Sequence, residues 1–231
     1  MTAPSGDDAT ARLQRSWQAN AQAWTRAVRE GRIASRRAGT DAAIVDALLA
    51  SGARRVFDLG CGEGWLARAL AAHGCDVVGV DASAALVEAA RGLGGVRYAC
   101  ASYAGLVANP GAFGIFDAVV FNFALLDADL VAPLAAARAC LQPHGRLFVQ
   151  TLHPLNDAGP YADGWRLEAF GGLDGFTEPM PWYFRTLSSW FAGLGAAGFV
   201  VDGIDEPFDA DARRPLSLLL RASLPAPADP R

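Results

Sequence analysis

The chain predicts an α/β fold in which a parallel sheet carries helices on both faces. Three observations support this. Short runs rich in β-branched residues alternate with helix-length apolar stretches, the connections between them are short, and the runs are apolar on both sides instead of alternating. Thr40-Asp41 precedes Ile44, Val45, Leu48 and Leu49, and the pattern stops at Gly52, as a capped helix does. Arg54 to Leu59 is the first strand and ends at a glycine cluster. Leu66 to Ala72 is a helix closed by Gly74, Asp76 to Asp81 a second strand, and Ser83 to Arg91 a second helix. Val96 to Cys100 and Phe116 to Phe121 follow as strands, Leu130 to Leu141 as a helix, and Arg146 to Leu152 as the fifth strand.

After His153 the alternation lapses. Pro154 to Phe184 is rich in Gly, Pro, Trp and Tyr without a clear period, and a long irregular stretch of this kind is often a functional lid. Leu187 to Ala197 resumes as helix, with Gly198 to Val201 and Leu216 to Leu220 as further strands. Before residue 40 the chain reads as a helical extension, with Trp17 and Trp24 seven apart on one face. The expected organisation is one domain in four parts: an extension (1–39), a ligand-binding core (40–153), a lid (154–185) and a C-terminal helix with closing hairpin (186–231).

Composition narrows the function classes. The 231 residues are 52% hydrophobic and 19% charged, enough for a sizeable core. The net charge is −4 and there is no Lys; Arg12, Arg15, Arg26, Arg29, Arg32, Arg36 and Arg37 are spread along helix and not clustered into a track for nucleic acid. Met1 to Thr10 has neither a basic nor an apolar leader region, and Asp117 and Asn122 interrupt the longest apolar run, so neither a signal peptide nor a membrane span is expected. Cys61, Cys75, Cys100 and Cys140 form no C-x-x-C pair, which suits buried thiols in a reducing cytoplasm and gives no metal site.

The chemistry is concentrated in Val56-Phe57-Asp58-Leu59-Gly60-Cys61-Gly62-Glu63-Gly64-Trp65. A strand that runs through a glycine turn into a helix lets a ligand lie against bare backbone, where a side chain at Gly60 or Gly62 would hold it away. Asp58, just before the turn, is placed to accept from a cationic group. Asp81 ends the next strand, where a carboxylate takes both hydroxyls of a ribose. The alternative for Asp81 is a helix N-cap, a role Ser83 also suits.

With these residues the chain resembles the class I S-adenosylmethionine-dependent methyltransferases, a Rossmann-like family, of the kind acting on small molecules. The motifs are Asp58-Leu59-Gly60-Cys61-Gly62-Glu63-Gly64, Val78-Gly79-Val80-Asp81-Ala82-Ser83, Phe116 to Phe123, and Leu141 to Leu147. The resemblance runs from about residue 40 to 152, and residues 185 to 222 fit the family's last helix and closing hairpin. It implies a seven-stranded, mostly parallel sheet whose last strand is antiparallel. It also implies S-adenosylmethionine as cofactor, with Gly60, Cys61 and Gly62 at its methionine part, Asp58 at its ammonium and Asp81, Ala82 and Ser83 at its ribose. Ser102 and Tyr103 would flank the adenine, where the family's commoner acid is missing. Asn122 and Phe123 would lie beside the methionine, and Arg36 is a candidate partner for the carboxylate, a surface Arg being the alternative.

On the acceptor side His153 follows the fifth strand at the sheet edge where ligands bind. It is a candidate general base or substrate hydrogen-bonding group, against a structural His bonded to nearby backbone. Tyr161, Trp165, Trp182, Tyr183 and Phe184, with Trp17 and Trp24, either close over an apolar or aromatic small-molecule acceptor or form the lid's own core. Two other functions compete. A nicotinamide-dependent oxidoreductase wants G-x-G-x-x-G, whereas the glycines here stand at 60, 62 and 64, and no Tyr-x-x-x-Lys pair exists. A non-catalytic S-adenosylmethionine-binding protein would keep the pocket without turnover.

Overall fold

The computed structural model describes residues 6–209, 211 and 213–225. Residues 1–5 of the segment read for a leader, and residues 226–231 of the C-terminal part, lie outside the described residues. The chain opens with helices α1 (Gly6–Ala19), α2 (Ala21–Arg29) and α3 (Asp41–Ala50). Then β1 (Arg55–Leu59), α4 (Trp65–Ala72), β2 (Asp76–Asp81), α5 (Ala84–Arg91), β3 (Arg97–Cys100), α6 (Tyr103–Ala108), β4 (Phe116–Asn122), α7 (Val131–Cys140) and β5 (Leu141–Thr151) alternate as expected. The segment expected as a lid, residues 154–185, holds β6 (Gly164–Glu168) and β7 (Met180–Phe184). The chain closes with α8 (Leu187–Ala196), β8 (Val200–Asp205), a short hairpin of β9 (Phe208–Asp209) and β10 (Arg214–Pro215), and β11 (Leu218–Ser223).

The main sheet has seven strands in the order β3-β2-β1-β4-β5-β11-β8. The first five are parallel, and β11 runs antiparallel to both β5 and β8. Period-2 alternation sorts the side chains into two cores. Phe57, Leu59, Val119 and Phe121 meet Leu106, Leu134, Trp190 and Leu194 from α6, α7 and α8. Val56, Val78's neighbour Val77, Val120 and Phe148 meet Ile44, Leu66 and Val87 from α3, α4 and α5. Both faces are covered, which is why the strand sequences are apolar throughout.

Three expectations are corrected. The fifth strand begins at Leu141 and not at Arg146: Leu141 pairs with Phe116, and the register then jumps to Ala118 opposite Arg146, with His144 left-handed at φ +67° in between. β8 and β11 each begin two residues later than read: Gly198, at φ +83°, and Phe199 return their amides to Gly195 and Leu194 to end α8, and the Leu216 amide is taken by the Pro207 carbonyl before β11. The lid is not irregular throughout. β6 and β7 pair antiparallel, Gly164 opposite Phe184 through Glu168 opposite Met180. Apolar residues on both faces and Pro181 within β7 hide the alternation.

The N-terminal extension and the lid are joined by a buried side chain. Asn20, at the break between α1 and α2, donates to the Glu178 carbonyl (2.7 Å) and to Ser16 Oγ (3.1 Å), and accepts from the Thr177 amide (2.8 Å). Thr10 Oγ1 donates to Asp127 (2.9 Å), and the Tyr183 amide donates to the Leu126 carbonyl (2.8 Å), so extension and lid both hold the loop after β4. Removing Asn20 leaves buried backbone groups without partners. Asn20→Ala is expected to cost about 1–3 kcal/mol, read as a lower urea midpoint; an unchanged midpoint would show that the lid is held without it.

Candidate active site

The carboxyl ends of β1, β2 and β4 converge on the glycine turn. The Gly60 and Cys61 amides both donate to the Val80 carbonyl, at 2.7 and 3.0 Å, which fastens the turn to the end of β2. Asp81 completes the join: one carboxylate oxygen accepts from the Gly62 amide (2.9 Å), the other from the Ser83 amide (2.8 Å). Each oxygen keeps a further lone pair. Ser83 Oγ caps α5 through the Leu86 amide, so the cap is Ser83 and Asp81 remains free for the turn.

The two glycines have different reasons. Gly60 has φ +78°, and a Cβ there would collide with Ala124 after β4. Gly60 thus also makes room for the loop after β4. Gly62 has φ +57°, and a Cβ there would meet nothing within 4 Å, so it faces open space.

Asp58 lies 1% exposed at the end of β1, with Oδ2 lacking any partner. Burial, reinforced by the charge of Asp81, pushes its carboxyl up to about 7 against one opposing hydrogen bond from the Ala67 amide. Burial also raises Asp81, opposed by the backbone amides around it. The Cys61 thiol is raised by burial and then by Asp58 and Asp81, so it stays protonated and unreactive. Tyr103 packs edge-on against Phe121, and its hydroxyl lies beside Gly60, raised by burial and by the same two acids. Ser102 caps α6 by accepting from the Gly105 amide (3.2 Å). Asn122 accepts from Gln150 Nε2 (2.8 Å), and Phe123 adopts φ +53° with its amide on the Gln150 carbonyl.

Arg36 is engaged within the protein: Asp41 lies 2.8 Å from its Nε and its guanidinium stacks on Trp65 at 4.2 Å. The sequence assigns no role to Glu63, which is buried in the turn and holds Arg29 of α2 (2.9 Å) and Arg68 of α4 (2.8 Å). Its partner Arg29 is 34 residues away, so only Arg68, five residues on, was a local signal.

His153 does not join this group and makes the backbone bond of its structural alternative. It is 2% exposed, Nδ1 accepts from the Leu155 amide (3.1 Å), and Nε2 therefore carries the proton and donates to Glu206 (2.7 Å). No ring lone pair is left to take a substrate proton. Phe184 is buried under Arg166, while Tyr161, more than half exposed, leans on it and accepts from the Leu187 amide. Trp17 and Trp24 stack at 5.2 Å and join Trp165, Trp182, Phe170, Phe176 and Met180 in a cluster between residues 6–39 and 154–185. Tyr183 packs edge-on against Trp165 and carries Arg185, whose guanidinium donates to the Asp127 carbonyl.

Comparison with known proteins agrees with this architecture. Residues 56–145 match the family model described as a methyltransferase domain. The chain is 38% identical over 117 residues to the ubiquinone biosynthesis O-methyltransferase of Xanthomonas oryzae pv. oryzae, covering 47% of each chain. It thus spans about half the length of the curated relatives it matches. Its fold is shared with the 1,6-didemethyltoxoflavin-N1-methyltransferase of Burkholderia thailandensis (TM-score 0.65, 20% identity, 96% and 91% of the two chains covered). It is shared also with the magnesium protoporphyrin IX methyltransferase of Synechocystis (TM-score 0.64, 17% identity, 97% and 100% covered). The matched stretch runs from β1 into the start of β5, and these solved structures share the fold around it.

Proposed function

We propose that the chain transfers a methyl group from S-adenosylmethionine to a small-molecule acceptor of apolar or aromatic character. The observation that carries this reading is the unpartnered, buried Asp58 oxygen beside a glycine turn pinned to Asp81. An orphaned carboxylate oxygen at the end of β1 fits an ammonium group, and a carboxylate with spare lone pairs at the end of β2 fits ribose hydroxyls. When bound, S-adenosylmethionine supplies a methyl carbon already activated by its sulfonium for in-line displacement.

The residues then divide the work. Asp58 holds the ammonium, and Gly60, Cys61 and Gly62 present backbone along the methionine part. Asp81, with Ala82 and Ser83 beside it, holds the ribose. Ser102 and Tyr103 flank the base, and Asn122 and Phe123 wall the reacting end. Arg36 is discharged by Asp41 and serves to seat Trp65 at the start of α4. The Trp17, Trp24, Trp165, Trp182 and Tyr183 surface excludes water from the acceptor. With His153 spent on Glu206, alignment carries the rate, and such positioning supplies roughly 7–11 kcal/mol.

No helix among the described residues is long and apolar enough to cross a membrane. All four cysteines are free thiols, which supports a reducing cytoplasm as the place of action.

Calorimetry with S-adenosylhomocysteine against NADH tests the reading: binding of the first and not the second is expected, and the reverse sinks it. Because a cationic ammonium needs ionised Asp58, affinity is expected to fall as pH drops below about 7, by at most about tenfold per pH unit for one linked proton. Asp58→Asn should abolish that slope. The same shift acts on stability. The unfolded chain loses this proton in the usual carboxylate range while the folded chain keeps it to about 7, so stability falls as pH rises between the two. Asp58→Asn should flatten that decline in thermal unfolding. His153→Ala is expected to leave the pH profile of turnover unaltered; a lost titration there would restore its catalytic role.

A further inference from the structure

A chain of hydrogen bonds runs from the segment before α3 to the end of β4, and each link fixes the polarity of the next. The Thr40 carbonyl can only accept, and it lies 3.0 Å from the Gln150 side-chain nitrogen. That contact settles which end of the Gln150 amide is the NH2. The same Nε2 donates to Asn122 at 2.8 Å, so the Asn122 atom facing it must be Oδ1. Asn122 Nδ2 is thereby turned the other way, and no described residue accepts from it.

Sheet register places this amide next to Asp58. Asp58 lies opposite Val120 on β4, and Asn122 follows two residues later on the same sheet face, at the outer end of the strand. A donor amide therefore stands beside a buried carboxylate at the same strand ends. Gln150 is 1% exposed, so nothing in solvent competes for its NH2. Arg36, the other nearby candidate for an anionic group, is taken by Asp41 and Trp65.

We propose that Gln150 is a positioning residue that orients Asn122 so that its Nδ2 donates to the carboxylate of the bound amino-acid moiety, while Asp58 takes the ammonium. This rests on the cofactor reading above and adds to it the polarity of the outer end of the site. Two neighbouring groups of opposite hydrogen-bond character on one sheet face match a zwitterion in one orientation only. Asp58 alone would hold any amine.

The test compares S-adenosylhomocysteine with 5′-methylthioadenosine, which keeps the adenosyl thioether and lacks the amino acid. Gln150→Met and Asn122→Ala are each expected to weaken S-adenosylhomocysteine roughly tenfold, the scale of one hydrogen bond to a charged group, and to leave 5′-methylthioadenosine unchanged. If Gln150 acts through Asn122, the double variant binds no worse than the weaker single one. Asn122→Asp retains the acceptor for Gln150 and removes the donor, so it should fold normally and still lose S-adenosylhomocysteine selectively. Equal weakening of both ligands, additive losses in the double variant, or unchanged affinity in Gln150→Met would each overturn the proposal while the cofactor reading stands. A wild-type protein that binds neither ligand overturns both.

Discussion

The parallel pairing of β1 with β2, with Leu59 opposite Val80, is the constraint on which the site depends. It brings the Val80 carbonyl under the amides of Gly60 and Cys61 and puts the Asp81 carboxylate against the amide of Gly62. A slip of one residue would turn Asp58 to the opposite face and separate Asp81 from the turn. The turn is therefore held in shape by the protein's own backbone and carboxylate bonds. Gly60 lets Ala124 from the loop after β4 close against it, so three strand ends meet at one place.

That convergence carries an electrostatic cost. Asp81 lies close enough to raise Asp58, and no cation among the described residues neutralises the Asp58 oxygen left without a partner. A carboxyl held at about 7 by burial and a neighbouring acid is the kind of perturbed group that clusters at functional sites. Glu63 shows the contrast: equally buried in the same turn, it is met by two guanidinium groups. The turn thus has one acid saturated by the protein and one left for something else. Departures of this kind from full local satisfaction are expected where a chain binds rather than merely packs.

The extension and the lid make a second layer over the strand ends. Asn20 ties them together, Arg29 ties the extension to the glycine turn, and Thr10, Tyr183 and Arg185 hold the loop after β4. An aromatic cluster lies between them. Phe184 and Tyr161 pack the hairpin itself, while Trp17, Trp24, Trp165 and Trp182 are only partly buried around Leu126 and Met180.

From its residues alone the chain determined the alternating core between residues 40 and 152, the glycine turn and the acids Asp58 and Asp81. Those signals are local: hydrophobic period, a turn chemistry spread over five residues, and an acid at each strand end. The tertiary structure alone decided what each side chain meets. Gln150 reaches Thr40 across 110 residues, Asn20 reaches Glu178 across 158, and Glu206 takes His153 across 53. A hydrogen bond between distant residues leaves no periodic trace in either segment. So the position of His153 at a strand end was legible, and its engagement was not. The hairpin within 164–184 was hidden for a related reason, since α1 and the β4 loop pack against a strand whose apolar residues face both ways.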